Sequence, residues 1–221
     1  MKAVTSLSFN RIERQQYCVK TWQDRGLDVI AVQNPEEINK LKDLFPSVNF
    51  KEHTNTSTNI FSKDTPEIYA LTSIAEQVWE ECLLINSDIS IKDNIKNFYE
   101  FWTPEIKTFK IGIRWDCVAG KKARTKQKWG IDVFLITPEM VNTIPNLGFR
   151  IGCPGWDFWL IYHFYLLGYK ITPTQSKLFH ESHSRNWYKS DQKAYRDMLM
   201  TKYSIDTNTE LPYLIKELTQ R

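Results

Sequence analysis

Cysteine, glycine and long apolar runs are all scarce in this chain of 221 residues. Its four cysteines are scattered without a Cys-x-x-Cys pair, which disfavours zinc knuckles and a dense disulfide framework and favours reduced core thiols. No apolar run approaches the ~20 residues of a membrane span, and the N-terminus lacks the apolar core of a signal peptide. These absences predict a soluble, cytoplasmic protein.

An excess of charge of one sign is also nearly absent, because 29 basic side chains face 26 acidic ones. The formal net charge of +3 permits anionic ligands but does not by itself indicate nucleic-acid binding. The length suits one domain over residues 1–221, in which residues 186–221 form a more polar helical tail. The tail is expected to serve as a flap or partner surface, with a helix near 191–202.

Strand and helix signals alternate along the first half of the chain. Asn10, with Glu13 three residues later, predicts a helix start, and the apolar run Asp28–Gln33 predicts a buried strand. Asn34 and Pro35 suit the start of the next helix. This order predicts an α/β fold with a doubly wound sheet flanked by helices. A later strand at Phe109–Arg114 alternates enough to be expected near an edge.

The run Cys82–Ile91 is four apolar residues, then Asn86, Ser87 and Asp88, then apolar residues again. It predicts a strand buried on both faces that ends on a carboxylate. Ligands of open α/β sheets lie beyond the carboxyl ends of strands, so Asp88 is a candidate ligand of Mg²⁺ or Mn²⁺. The alternative is a simple turn, because all three polar residues form turns readily.

A second candidate carboxylate follows Pro154 and Gly155, which predict a helix start. Asp157 lies in the first turn, where the helix dipole favours its ionised form, and it is a candidate base or ligand of a sugar hydroxyl. The alternative is an Asp that only stabilises the dipole. His163 shares a stripe of apolar residues and is expected to be packed in the core.

His180 and His183 flank Glu181 in a third candidate segment. Both residue types are metal ligands. On an extended segment the two imidazoles point to opposite faces, so only one of them is expected to reach the metal.

A basic cluster between two glycines predicts a surface loop. A solvated loop and a binding site for phosphate or a polyanionic acceptor are equally good interpretations of it. Its members are Lys121, Lys122, Arg124, Lys126 and Lys128.

Taken together, these motifs resemble small glycosyltransferases of the GT-A fold. The likeness is carried by the Asp88 turn, by Gly-x-Asp-x-Phe at 130–134, by Gly-x-Pro-Gly-Trp-Asp-x-Trp-Leu at 152–160 and by the His-x-x-His element. It is similar in particular to short GT-A-like proteins of bacteria and phages. The resemblance implies a GT-A-like, Rossmann-type mixed sheet.

The resemblance also implies roles for individual residues. Asp88 would bind Mn²⁺ or Mg²⁺ and through it the diphosphate of a nucleotide sugar, with a UDP-sugar as favoured donor. His183, rather than His180, would complete the metal shell, and Asp157 would be the acceptor-side base. The other implied site residues are Asn86 as a neutral partner of the metal, Trp156, Arg114 and Asp132 near the donor or acceptor, and Thr5, Ser6 and Arg11 near the nucleotide.

The implied function is a metal-dependent hexosyl- or pentosyltransferase, inverting if Asp157 faces the side of the sugar opposite the leaving group. The acceptor would be a glycan, or a hydroxylated base of phage DNA reached through the basic cluster in host cytoplasm. One alternative is a nucleotidyltransferase, although the Gly-rich loop expected after its first strand is missing at Ser8–Arg11. Another is a non-catalytic nucleic-acid-binding α/β module.

Overall fold

The apolar run at residues 82–85 lies in the middle of a sheet, with strands on both sides. The computed structural model describes residues 1–117, 124–183, 188–205 and 210–219. The elements in chain order are β1 (Lys2–Thr5), α1 (Ile12–Gln23), β2 (Asp28–Gln33), α2 (Pro35–Leu41), β3 (Asn49–Glu52), α3 (Ile68–Val78), β4 (Cys82–Ile85), β5 (Ile89–Ile91), α4 (Ile95–Trp102), β6 (Thr108–Cys117), β7 (Arg124–Ile136), α5 (Pro138–Val141), α6 (Trp156–Leu166), β8 (Lys170–Pro173), β9 (Leu178–Glu181), α7 (Lys189–Tyr203) and α8 (Glu210–Thr219).

The described strands form one mixed sheet in the order β3-β2-β1-β4-β7-β6-β9-β5, and β8 pairs with β6 outside that path. The first four strands of this order run parallel. β7 is antiparallel to both of its neighbours, β4 and β6. The predicted Rossmann-type mixed sheet with flanking helices is therefore confirmed.

β4 has a hydrophobic core on each of its faces. Leu83 and Ile85 pack into the cluster that contains Trp22 of α1, whereas Leu84 packs into the cluster that contains Trp159 of α6. Because successive side chains of a strand point to opposite faces, both odd and even positions must be apolar. This explains the uninterrupted apolar run and leaves the polar residues for the strand end.

The start of α1 differs from the prediction. Its N-cap is Arg11, with φ 55° and no capping hydrogen bond from its side chain, so Asn10 is not the cap. The Gln15 amide instead donates to the carbonyls of Ser8 and Asn10. Asn10 is thereby part of a loop that α1 holds against the end of β1.

β6 lies inside the sheet, so its predicted edge position is wrong. β7, β8 and β9 all pair with it. The polar position that suggested an edge, Lys110, is 5% exposed, and its ammonium pairs with Glu105 at 2.6 Å. The buried stem and paired ammonium of Lys110 therefore gave the sequence the alternating pattern that is typical of an exposed strand.

Part of the predicted basic loop lies on a strand. β7 begins at Arg124 because its ladder with β6 extends that far, so Arg124, Lys126 and Lys128 lie on a strand. Lys121 and Lys122 lie outside the described residues.

The C-terminal segment contributes to the core. α7 covers the helix predicted near 191–202, and Tyr195, Leu199 and Ile215 are buried in the cluster that contains α6. The division into one domain over 1–221 with a polar tail from 186 stays a prediction. Among the helices of the described ranges, none combines the length and apolarity needed to cross a bilayer.

Candidate functional site

A cleft of about 610 Å³ opens where β1 and β4 end. The loop after β1, the turn between β4 and β5, the start of α6, the end of β9 and α7 supply its walls. Thr5 is fully buried in β1 and does not line the cleft, so its position near a nucleotide stays a prediction. The predicted site residues that do line it are Ser6, Arg11, Asn86, Asp88, Arg114, Asp132, Trp156, Asp157, His180 and His183.

Asp88 and both histidines meet at one end of this cleft. Oδ2 of Asp88 lies 3.1 Å from Nε2 of His183 and 3.3 Å from Nε2 of His180. One ligand atom from each residue falls within 4.8 Å of the others. Burial opposes ionisation of Asp88, but hydrogen bonds from the two imidazoles hold the pKa of its carboxyl well below the usual range. Asp88 is therefore a carboxylate with two imidazoles facing it.

Only one histidine was expected to reach the metal, yet both imidazoles lie beside Asp88, because β9 ends at Glu181. The strict alternation of side chains applies only within a strand. His180 is set opposite Ile89 by the pairing of β5 with β9, whereas His183 follows the strand end and turns back.

Arg14 of α1 links the two segments that carry these ligands. Its Nη2 donates to the carbonyl of Phe179 at 3.2 Å, and lies 3.5 Å from both the carbonyl of Asp88 and Oγ of Ser90. The β4–β5 turn and β9 are thus tied to the same guanidinium. Sequence reasoning missed Arg14, because no recognisable motif in α1 marks this residue.

The donor set fits a transition-metal ion. A carboxylate with two imidazoles suits Mn²⁺, Fe²⁺ or Zn²⁺, whereas Mg²⁺ prefers oxygen ligands. Nδ1 of His180 lies 3.0 Å from Oδ1 of Asp116, which leaves Nε2 to face Asp88. Carboxylates of this kind orient metal-bound histidines in proteins. Asp116 was also missed, although its spacing of two from Arg114 on one strand places both on the same face.

Arg114 and Asp132 form the middle of the cleft. Nη1 of Arg114 donates to Oδ2 of Asp132 at 2.6 Å, and its Nε donates to Oδ1 of Asp116 at 2.9 Å. The side-chain amide of Asn86 donates to Asp132. Asn86 therefore orients a carboxylate, and its amide is not directed at the triad of Asp88, His180 and His183.

Asp157 lies in the first turn of α6, after the N-cap Gly155. Burial and the neighbouring Asp132 carboxylate raise its pKa to about 7, against the opposing effect of backbone N–H groups and of Arg114. The helix dipole was expected to keep Asp157 ionised, but with a pKa of about 7 the protonated and ionised forms coexist near neutral pH. Desolvation outweighs the dipole, and the group can accept a proton there.

The remaining predicted residues take local partners. Ser6 donates to Oε1 of Gln33, and Arg11 pairs with Glu181 at 2.6 Å. Trp156 is 3% exposed and packs edge-on against Phe134, with ring centroids 5.2 Å apart. His163 is packed between the rings of Trp159 and Phe164, as predicted.

No protein-family model matches the chain, and no curated protein matches its sequence. Solved structures give partial likenesses. The catalytic domain of Drosophila beta1,4-galactosyltransferase 7, in complex with xylobiose, is 14% identical over 87% of this chain and 78% of its own, with a TM-score of 0.47. A glycosyltransferase involved in glycosylation of the major capsid of PBCV-1 is 11% identical over 87% and 98%, with a TM-score of 0.41.

A further likeness is to 4-diphosphocytidyl-2C-methyl-D-erythritol synthase from Anaerococcus prevotii. It is 9% identical over 88% of this chain and 93% of its own, with a TM-score of 0.46. At these identities and scores the likenesses assign neither a family nor an activity.

Proposed function

We propose that this protein is a metal-dependent glycosyltransferase of the GT-A type, which moves a sugar from a nucleotide-diphosphate donor to a hydroxyl acceptor. One observation carries the proposal. The cleft brings together a carboxylate–imidazole cluster, formed by Asp88, His180 and His183, and a separate carboxyl group with a pKa near neutrality, that of Asp157. The first suits a cation, and the second suits an acceptor proton.

Asp88, His180 and His183 would hold the cation, which when bound supplies positive charge to the departing diphosphate. Cationic side chains that line the same cleft, Arg14 and Lys63, are placed to favour an anionic donor. Mn²⁺ is favoured over Mg²⁺ because two of the three ligands are nitrogen atoms.

Asp157 would accept the proton of the attacking hydroxyl. The acceptor oxygen forms a bond to the anomeric carbon, the bond from that carbon to the diphosphate oxygen breaks, and the nucleoside diphosphate leaves with the electron pair. A base with a pKa near the working pH is the most effective for this step. If acceptor and diphosphate occupy opposite faces of the sugar, the anomeric centre inverts.

The same residue favours sugar transfer over nucleotide transfer. A nucleotidyltransferase that acts on a sugar phosphate uses a phosphate oxygen as nucleophile, which is already ionised and needs no base. A carboxyl group with a raised pKa would then have no task. The loop over residues 6–11 agrees with this preference, because it contains no glycine and Gln33 and Gln15 hold it in place.

A thermal-shift screen tests the proposal, using UDP, UDP-sugars and GDP-sugars with and without Mn²⁺. A ligand at 100 times its Kd stabilises the folded state by about 2.7 kcal/mol, which raises the Tm of a chain of this size by roughly 5–10 °C. We expect this shift in the wild type and in the control Asp43→Ala, whose exposed position lies outside the cleft, but not in Asp88→Ala.

One result would count against sugar transfer, and another would count against the metal site. Stabilisation by nucleoside triphosphates with sugar phosphates, and not by nucleotide sugars, would favour the nucleotidyltransferase. A shift with UDP and Mn²⁺ that survives in Asp88→Ala would remove the proposed metal site.

A further inference from the structure

The guanidinium of Arg114 has one nitrogen left over for a ligand. Its Nε donates to Asp116 at 2.9 Å, and its Nη1 donates to Asp132 at 2.6 Å. Nη2 has no hydrogen-bond partner among the described residues, and it is not one of the unpaired atoms that are shielded from solvent there. The side chain is 24% exposed and lines the cleft, so Nη2 is the part of the guanidinium that a ligand can reach.

Arg114 lies between the two ends of the cleft. Toward the metal end, Asp116 joins it to His180, whose Nδ1 is 3.0 Å from the Asp116 carboxylate. Toward the other end, the charges of Arg114 and Asp132 act on Asp157. Under the proposed function the transferred sugar lies between these ends, because the diphosphate is held at one of them and the acceptor at the other. Nη2 is thus in position to donate to an oxygen of that sugar.

The charges around Nη2 restrict the groups that it can bind. Arg114 brings one positive charge, whereas Asp116 and Asp132 together bring two negative ones. Asp132 is 6% exposed and lines the cleft, so water screens its charge only weakly. A sugar hydroxyl can accept a hydrogen bond from Nη2 and also donate one to a carboxylate. A carboxylate on the sugar can only accept, and it would lie beside carboxylates that already neutralise this guanidinium.

Building on the proposed function, we infer that Arg114 and Asp132 bind the transferred sugar through its hydroxyls and restrict the donor to uncharged sugars. The donor class is then the nucleoside diphosphate of a neutral hexose or pentose, and donors of uronic acids are rejected. The rejection is electrostatic, because Asp132 repels a negative charge on the sugar while the positive charge of Arg114 is already matched.

The test compares donors that differ only at C6 of the sugar, where a hydroxymethyl group is replaced by a carboxylate. The three pairs are UDP-glucose with UDP-glucuronate, UDP-galactose with UDP-galacturonate, and GDP-mannose with GDP-mannuronate. Calorimetry in the presence of Mn²⁺ measures their affinities for the wild type, for Asp132→Asn and for the control Asp43→Asn, whose exposed position lies outside the cleft. Titrations with UDP and GDP alone report the diphosphate side.

We expect the wild type and Asp43→Asn to bind at least one neutral donor about 10-fold or more tightly than its uronate partner, because the uronate places a like charge beside Asp132. Asp132→Asn removes that charge and should reduce the ratio of the two affinities at least about 5-fold. Its affinity for the nucleoside diphosphate alone should stay within about 2-fold of the wild-type value, because the phosphates do not contact Asp132.

Equal affinity of the wild type for both members of every pair would overturn the inference, and this result does not depend on whether the variant folds. A ratio that Asp132→Asn leaves unchanged, or a wild type that binds UDP or GDP but none of the neutral donors, would also overturn it. Failure of the proposed function has a different signature, which is the absence of Asp88-dependent binding of UDP and GDP.

Discussion

Arg114 donates a hydrogen bond of 2.6 Å to Asp132, and this ion pair joins the two halves of the candidate site. On one side, the same guanidinium contacts Asp116, which bonds His180. On the other side, Asp132 raises the pKa of Asp157 and Arg114 lowers it. Burial has the largest effect on the protonation of the candidate base, and it is adjusted further by residues that also contact the candidate metal-site ligands.

Removing the charge of Asp132 and removing the charge of Arg114 should shift the midpoint of the pH profile of transfer in opposite directions. With Asp157 as the base, kcat/KM rises with pH to a plateau above about 7. Asp132→Asn removes a neighbouring negative charge and should lower the midpoint, whereas Arg114→Gln removes a positive charge and should raise it. The measurement is kcat/KM from pH 5 to 9 for the three proteins. Midpoints that shift together, or not at all, would exclude Asp157 as the base.

Asp157→Asn should stabilise the folded protein at neutral and alkaline pH. The pKa of Asp157 is raised from 3.8 to about 7 on folding, so its ionised form destabilises the native state as pH rises through that window. The gain in the free energy of unfolding should grow between pH 4 and 7 to at most about 4 kcal/mol and then level off. Urea unfolding at pH 4, 6 and 8 measures it.

The matched control for this prediction is Asp43→Asn, an exposed position on the surface. It should change stability by less than about 0.5 kcal/mol at all three pH values. A loss of stability in Asp157→Asn at pH 8 would contradict the assignment of a desolvated carboxyl. A gain accompanied by loss of transfer is the pattern of a site that sacrifices stability for activity.

Asp116→Asn should weaken metal binding without removing a ligand. Asp116 orients His180 through Nδ1, and outer-shell carboxylates of this kind typically contribute 10- to 100-fold to metal affinity. Calorimetric titration with Mn²⁺ should show a loss in that range, while Asp43→Asn keeps the wild-type Kd. If both variants bind Mn²⁺ equally well, His180 does not depend on Asp116 for its orientation.

Gly155→Ala should be far more destabilising than Gly168→Ala. Both glycines have positive φ, 85° and 75°, which costs an alanine about 1–2 kcal/mol. At Gly155 the new Cβ also meets the Tyr195 ring at 2.2 Å, whereas at Gly168 nothing lies within 4 Å. Overpacking adds about 1–3 kcal/mol, so chemical denaturation should separate the two variants by that amount. Similar stabilities would mean that α7 does not pack against the start of α6.

The sequence was sufficient to predict the sheet and the position of Asp88. The run of apolar residues indicates a buried strand, and the polar residues after it indicate where that strand ends. It was not sufficient to predict that His180 and His183 both reach Asp88, since nothing in the residues around Glu181 marks where β9 stops. The raised pKa of Asp157 depends on burial and on Asp132, both of which arise only when the chain folds. Tyr195 lies on a helix with few apolar residues, and no local pattern distinguishes it from a surface tyrosine.

The pairing of β5 with β9 sets Ile89 opposite His180. Because β9 is also paired with β6, a slip of one residue in the β5–β9 ladder would leave His180 in place, turn the side chains of β5 to the other face of the sheet and displace the turn that carries Asp88. A single deletion at 86–88 would thus separate Asp88 from His180 and His183 even in a variant that still folds. Surface loops farther along the chain should tolerate such a change far better. The three-residue pairing of β5 with β9 therefore determines the geometry of this site.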